Sequence, residues 1–126
     1  MTVAGTPQIK VGRLTTHVLD VRLGQPARGL AFTLFRIVGT DRLKLTEGRT
    51  NDDGRAANPL LEGEAMVAGL YELGFAVGAY QAHFLEGDAA GFYDIITIRF
   101  RIGDVHAHYH VPLLLSPFGY STYRGS

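Results

Sequence analysis

The chain contains no cysteine. That excludes disulfide staples, thiolate metal sites and a thiol nucleophile, and it fits a reducing compartment. There is no excess of charge either: twelve lysines and arginines balance twelve aspartates and glutamates. No block of like charge stands out, so nucleic acid and anionic membrane are poor partner choices. No apolar run approaches the roughly 20 residues that a membrane helix needs. The start, Met1 to Val11, lacks the basic-then-apolar pattern of a secretory signal. Together these absences lead to the expectation of a soluble, cytoplasmic protein. With 126 residues, 46% of them hydrophobic, the chain is long enough to fill one core and too short for two. A single domain over residues 1–126 is expected, with 1–11 a loosely ordered N-terminal segment.

What is present is alternation at period two, broken at short intervals by glycine, proline and aspartate clusters. Val11 to Val21 reads as a first strand, with Leu14, Thr16 and Val18 on one face and Thr15, His17 and Leu19 on the other. Gly24 to Gly29, which contains Pro26, is its turn. Leu30 to Val38 and Arg42 to Thr50 come next as strands around a turn at Gly39 to Asp41. Asn51, Asp52, Asp53 and Gly54 form a tight turn that delivers Arg55 just past its tip. Tyr71 to Val77 alternates, and Ala79 to Leu85 has the apolar spacing of about two helical turns. Phe92 to Ile102 is the clearest strand, with Ile96, Ile98, Phe100 and Ile102 opposite a solvated or interface face of Thr97, Arg99 and Arg101. Ala107 to Leu115 and Phe118 to Tyr123 close the chain around the Ser116–Pro117 break. Seven or eight short strands with one short helix predict an all-β sandwich of two antiparallel sheets.

Five histidines are available for chemistry. His106, His108 and His110 lie two apart, so on one strand all three leave the same face, as metal ligands or as proton carriers. No HExxH helix or ligand-spaced carboxylate accompanies them, Asp104 lies across a turn, and His106 is expected to be exposed beside Gly103 and Asp104. Taken singly, His17 is a surface histidine on a strand, Arg55 a turn residue and Ser126 a chain end.

Three segments change that balance. Leu14-Thr15-Thr16-His17-Val18-Leu19-Asp20, Asn51-Asp52-Asp53-Gly54-Arg55, and His108-Tyr109-His110-Val111-Pro112-Leu113-Leu114-Leu115-Ser116-Pro117, with the ending Tyr123-Arg124-Gly125-Ser126, resemble the 5-hydroxyisourate hydrolases of the transthyretin-like family. The resemblance runs from about Leu14 to Ser126, is most specific in the last twenty residues, and is loose from Glu62 to Gly91.

The resemblance implies the transthyretin sandwich, assembled as a homotetramer whose central channel holds the sites. It implies an enzyme of urate degradation that opens 5-hydroxyisourate with water to give 2-oxo-4-hydroxy-4-carboxy-5-ureidoimidazoline, without metal or cofactor. His17, Arg55, His110 and Ser126 correspond to its catalytic residues, and His108, Tyr123, Arg124 and Gly125 are expected to contact substrate. A histidine near neutrality suits a general base, and an arginine fork suits an oxyanion. Either His17 or His110 can be that base. Ser126 offers both a hydroxyl and the terminal carboxylate. Because a chain-terminal serine lacks the strained elbow of a nucleophile, direct attack by water is expected. A tail that carries chemistry must also be pinned, and Tyr120 and Tyr123 are the expected anchors, between subunits. The competing readings are a transthyretin-like carrier without catalysis, since fold alone does not fix function, and a metal-dependent hydrolase built on the 106/108/110 row.

Overall fold

The structure is a computed structural model that describes residues 11–126. The segment expected to be loosely ordered lies, but for Val11, outside the described residues. Among the described residues nine strands occur in the order β1 (Arg13–Asp20), β2 (Gln25–Pro26), β3 (Ala31–Val38), β4 (Asp41–Arg49), β5 (Leu61–Glu62), β6 (Gly69–Phe75), β7 (Ile96–Ile102), β8 (His108–Ser116) and β9 (Gly119–Thr122). Helices α1 (Val77–Gln81) and α2 (Asp88–Gly91) lie between β6 and β7. One sheet runs β2-β1-β8-β9, with β5 also on β1, and the other runs β4-β3-β6-β7.

Alternation places one side of each sheet inward. Leu14 and Val18 from β1 and Leu113 and Leu115 from β8 share the core with Phe32 and Leu34 from β3, Leu73 and Phe75 from β6, and Ile96 and Ile102 from β7. Asp20 and Glu72 are buried as well, at different places. Asp20 accepts a hydrogen bond from the Tyr80 hydroxyl at 2.8 Å, tying α1 to the end of β1; burial, and then this bond, push the phenol's pKa well above its ordinary value. Glu72, on the outer face of the second sheet, accepts Arg99 through Nε at 2.9 Å and Nη2 at 2.6 Å, and pairs with Arg42 at 3.1 Å.

The two-sheet all-β reading holds, with these corrections. The β1–β8 pair is parallel, because a long excursion through the other sheet separates the two strands and no hairpin imposes an antiparallel return. Gln25–Pro26 forms a short rung on β1 inside the expected turn, and Leu61–Glu62 adds another that periodicity does not reveal. The helix starts at Val77, not Ala79, because its buried side is Val77, Tyr80 and Gln81, the i, i+3, i+4 pattern. A second helical turn, α2, precedes β7, so that strand begins at Ile96 rather than Phe92. Arg99 is a partner of buried Glu72 and not simply a solvated side chain. β8 begins at His108 and leaves His106 in the preceding turn.

The Asn51–Gly54 turn decides where Arg55 stands. Asn51 Oδ1 accepts the backbone N–H groups of Asp53 at 2.9 Å and Arg55 at 3.1 Å, a side-chain turn that asparagine favours. Gly54 has φ +73° and its carbonyl accepts the Val18 N–H at 2.8 Å, fastening the turn to β1. A Cβ there would lie 2.4 Å from the Val18 carbonyl oxygen. Gly54→Ala is therefore expected to cost about 2 kcal/mol or more, from positive φ and from the clash. An unchanged urea midpoint in that variant would refute the constraint.

Candidate active site

Thr15, His17, His108 and His110 lie on the face of the first sheet turned away from the core, opposite in parity to Leu14, Thr16 and Val18. The parallel register sets Arg13 beside His108 and Thr15 beside His110. The Thr15 hydroxyl is thereby held 2.7 Å from His108 Nε2 and 2.8 Å from His110 Nδ1. Farther along β1, His17 forms an isolated antiparallel bridge with Arg55, which the Asn51–Gly54 turn brings back against the strand.

The chain end closes the arrangement from the other side. Gly125 and His110 exchange backbone hydrogen bonds, the Gly125 N–H donating at 2.8 Å and the His110 N–H donating at 3.3 Å. Only glycine fits there, since a Cβ would lie 2.9 Å from His110 Cδ2. The Arg124 guanidinium sits 4.4 Å above the Tyr109 ring, a cation–π contact that adds to the hold on the tail. The result is a cavity of about 420 Å³ whose walls include Arg13, Thr15, Arg55, His108, His110 and Ser126.

All three site histidines are pushed toward the neutral form. Burial lowers the pKa of His110 below 6.5, and the Arg55 cation adds to the effect, followed by His108 and His17. Burial and then Arg55 also lower that of His17, opposed in part by a hydrogen bond to the Asp53 backbone and by the Asp53 carboxylate. For His108 the causes are burial and then Arg13. Near neutral pH the cavity thus combines unprotonated imidazoles with permanent cations, a base beside an electrophilic clamp.

Of the residues singled out from the sequence, Arg55, His108, His110 and Ser126 share the cavity wall. Gly125 backs His110, and His17 adjoins Arg55 beside the wall without lining it. Arg124 stacks on Tyr109 and Tyr123 is 60% exposed, and neither lines the cavity. Within one chain the tail is held by the Gly125–His110 bridge, and Tyr120 packs edge-on against Tyr93 with ring centroids 5.4 Å apart. The row of three histidines does not form, because His106 is exposed in a turn, its backbone N–H on Asp104 Oδ1 at 2.9 Å. Thr15 and Arg13 were not singled out from the sequence. The one available signal for Thr15 was its place on the same strand face as His17.

Comparison with known proteins bears on the fold and the family. The profile of the HIUase/Transthyretin family matches residues 14–125. A 5-hydroxyisourate hydrolase of Ralstonia nicotianae is 56% identical over 117 residues, 92% of this chain and 100% of that protein. Among solved structures, the 5-hydroxyisourate hydrolase of Klebsiella pneumoniae superposes with a TM-score of 0.70 at 36% identity, over 91% of this chain and 99% of that one. Sea bream transthyretin in complex with thyroxine superposes at 0.81 with 27% identity, over 90% and 94%. Backbone likeness by itself therefore does not separate hydrolase from carrier, whereas sequence identity favours the hydrolases. The chain belongs to the HIUase/transthyretin family.

Proposed function

We propose that this protein hydrolyses 5-hydroxyisourate, with the cavity bounded by His110, Arg55 and Ser126 as its active site. The observation that carries this reading is the convergence of those three residues, distant in sequence, on one cavity, in a chain more than half identical to a protein named for that activity. The substrate is a cyclic ureide whose ring amide is opened by water. His110 takes a proton from the attacking water as the C–O bond forms, and returns it to the ring nitrogen as the C–N bond breaks. Between the two histidines left open by the sequence, His110 is favoured because it lines the cavity and His17 does not. Arg55 stabilises the developing oxyanion, and His17 orients Arg55 from the strand beside it. Ser126 and His108 hydrogen-bond the substrate, and Arg124 and Gly125 hold the ending in place.

The reading includes a homotetramer with sites at the subunit interfaces, in the cytoplasm. β9 and β7 end their sheets, where unpaired strand edges invite pairing with another copy. Nearby, Phe92, Phe118 and Tyr123 are each about 60% exposed, more apolar ring surface than one copy covers. Among the described residues no helix is long and apolar enough to cross a membrane.

The first measurement is direct. With 5-hydroxyisourate generated from urate in the cuvette, the protein is expected to accelerate the absorbance decay over the spontaneous rate; no acceleration would remove the enzymatic reading. His110→Ala is expected to lose about 100-fold or more of kcat, and Arg55→Lys a comparable factor through loss of the fork. Near-wild-type rates in either variant would displace that residue from its role. Because burial and Arg55 hold His110 below 6.5, the base stays neutral into mildly acidic solution. kcat/KM should therefore be flat at neutrality and fall on acidification with a midpoint below 6.5, and a midpoint above that value would count against His110 as the base. Deleting Arg124 to Ser126 should abolish turnover while the β-type circular dichroism persists; full activity would exclude a role for the tail.

A further inference from the structure

The Thr15 hydroxyl stands between two imidazoles with a single proton to give. Its oxygen offers one donor and two lone pairs, and the ring nitrogens on either side lie at hydrogen-bond distance, 2.7 Å for His108 Nε2 and 2.8 Å for His110 Nδ1. Two arrangements satisfy both neutral rings. In one, Thr15 donates to His110 Nδ1 and accepts from His108 Nε2–H, so the remaining proton of His110 sits on Nε2. In the other, Thr15 donates to His108 Nε2 and accepts from His110 Nδ1–H, and His110 Nε2 carries a bare lone pair.

Only the second arrangement makes His110 a base toward the cavity. With Nδ1 on Thr15 and the Cδ2 edge against Gly125, the ring edge left for the cavity is Cε1 and Nε2. The charges around it favour a lone pair there over an N–H, since the Arg55 guanidinium acts on this ring from the same cavity and a cation attracts a lone pair. Arg13 stands beside His108, which helps keep that ring neutral and so able to accept the Thr15 proton. Ser126 on the cavity wall and His17 add to the polar and titratable groups around the pair.

We propose that Thr15 is a positioning residue that holds His110 in the Nδ1–H tautomer, with His108 as the acceptor that fixes the direction of the Thr15 hydroxyl. When His110 Nε2 takes the proton of the attacking water, the imidazolium still donates through Nδ1–H to Thr15, and no hydrogen bond has to be remade. The other arrangement would have to reverse both bonds before a proton could be held, a reorganisation that a preorganised site avoids. His108 thereby acts through Thr15 in addition to lining the cavity. The catalytic part of the inference rests on the hydrolase reading, while the tautomer itself does not.

Two measurements test it. The first is the tautomer of His110 in the unliganded wild-type protein, read from long-range proton–nitrogen correlations at a pH where the ring is neutral. A protonated Nδ1 with a bare Nε2 is expected; a protonated Nε2 would overturn the inference, whether or not the protein accelerates 5-hydroxyisourate decay. The second compares Thr15→Val, which keeps the β-branched shape and removes the hydroxyl, with Thr15→Ser, which keeps the hydroxyl. Thr15→Val should lower kcat by about tenfold to a hundredfold, part of what a positioned base contributes, with KM within about twofold. It should also shift His110 toward a mixture of tautomers. Thr15→Ser should restore both the rate and the Nδ1–H form. A folded Thr15→Val protein with wild-type kcat, or a Thr15→Ser protein as slow as Thr15→Val, would overturn it.

Discussion

The parallel ladder between β1 and β8, from Arg13 opposite His108 to Asp20 opposite Leu115, is the constraint on which the rest of the molecule depends. Side chains alternate along each strand, so a slip of one residue would exchange every inward group for an outward one. Leu14 and Val18 would leave the core, and Thr15 and His17 would enter it. Burial of apolar groups, worth roughly 1.5–3 kcal/mol for each large side chain, therefore holds the register that the polar face uses. The hydroxyl between the two imidazoles keeps its place because Leu14, Val18, Leu113 and Leu115 are fully packed behind it.

The outer faces of the two sheets spend their charge differently. On the second sheet, Glu72 meets Arg99 and Arg42, and the guanidinium of Arg42 lies 4.0 Å above the Phe35 ring. Those groups satisfy one another and leave little for a ligand. On the first sheet, Arg13 and Arg55 stand among neutral imidazoles. Cations that form no ion pair with a carboxylate side chain among the described residues, next to neutral imidazoles in a concave site, are the arrangement expected where charge develops during a reaction.

The tail shows how a flexible part of a chain is made fit for such a site. A terminus ordinarily frays, yet a residue one step from the end is joined to a β8 histidine by a reciprocal pair of backbone bonds. The absence of a side chain at Gly125 lets the backbone come up against the His110 ring. Glycine in the ending is thus a packing requirement, as it is at Gly54, where positive φ and proximity to β1 allow nothing larger. Each of these two glycines sits beside a residue of the cavity wall, Ser126 and Arg55.

Much of the fold was legible along the chain. Alternation grouped Leu14, Thr16 and Val18 on one face, and Ile96 and Ile102 on one face of a later strand, all of which are buried, and the Asn51–Gly54 turn was plain from its residue types. The ending, the turn and the histidine segments pointed to the family and to four residues of the cavity wall, Arg55, His108, His110 and Ser126. Period two, however, says which face a residue occupies and nothing about its neighbour on the next strand. The parallel pairing of β1 with β8 joins residues 95 apart, and packing of the whole sandwich decides it. For the same reason alternation put Thr15 and Thr16 on opposite faces without showing what either hydroxyl meets. One hydroxyl ended on the Val111 carbonyl inside the sheet and the other between two imidazoles, because strand geometry sends successive side chains to opposite faces and only the folded chain supplies what each face meets.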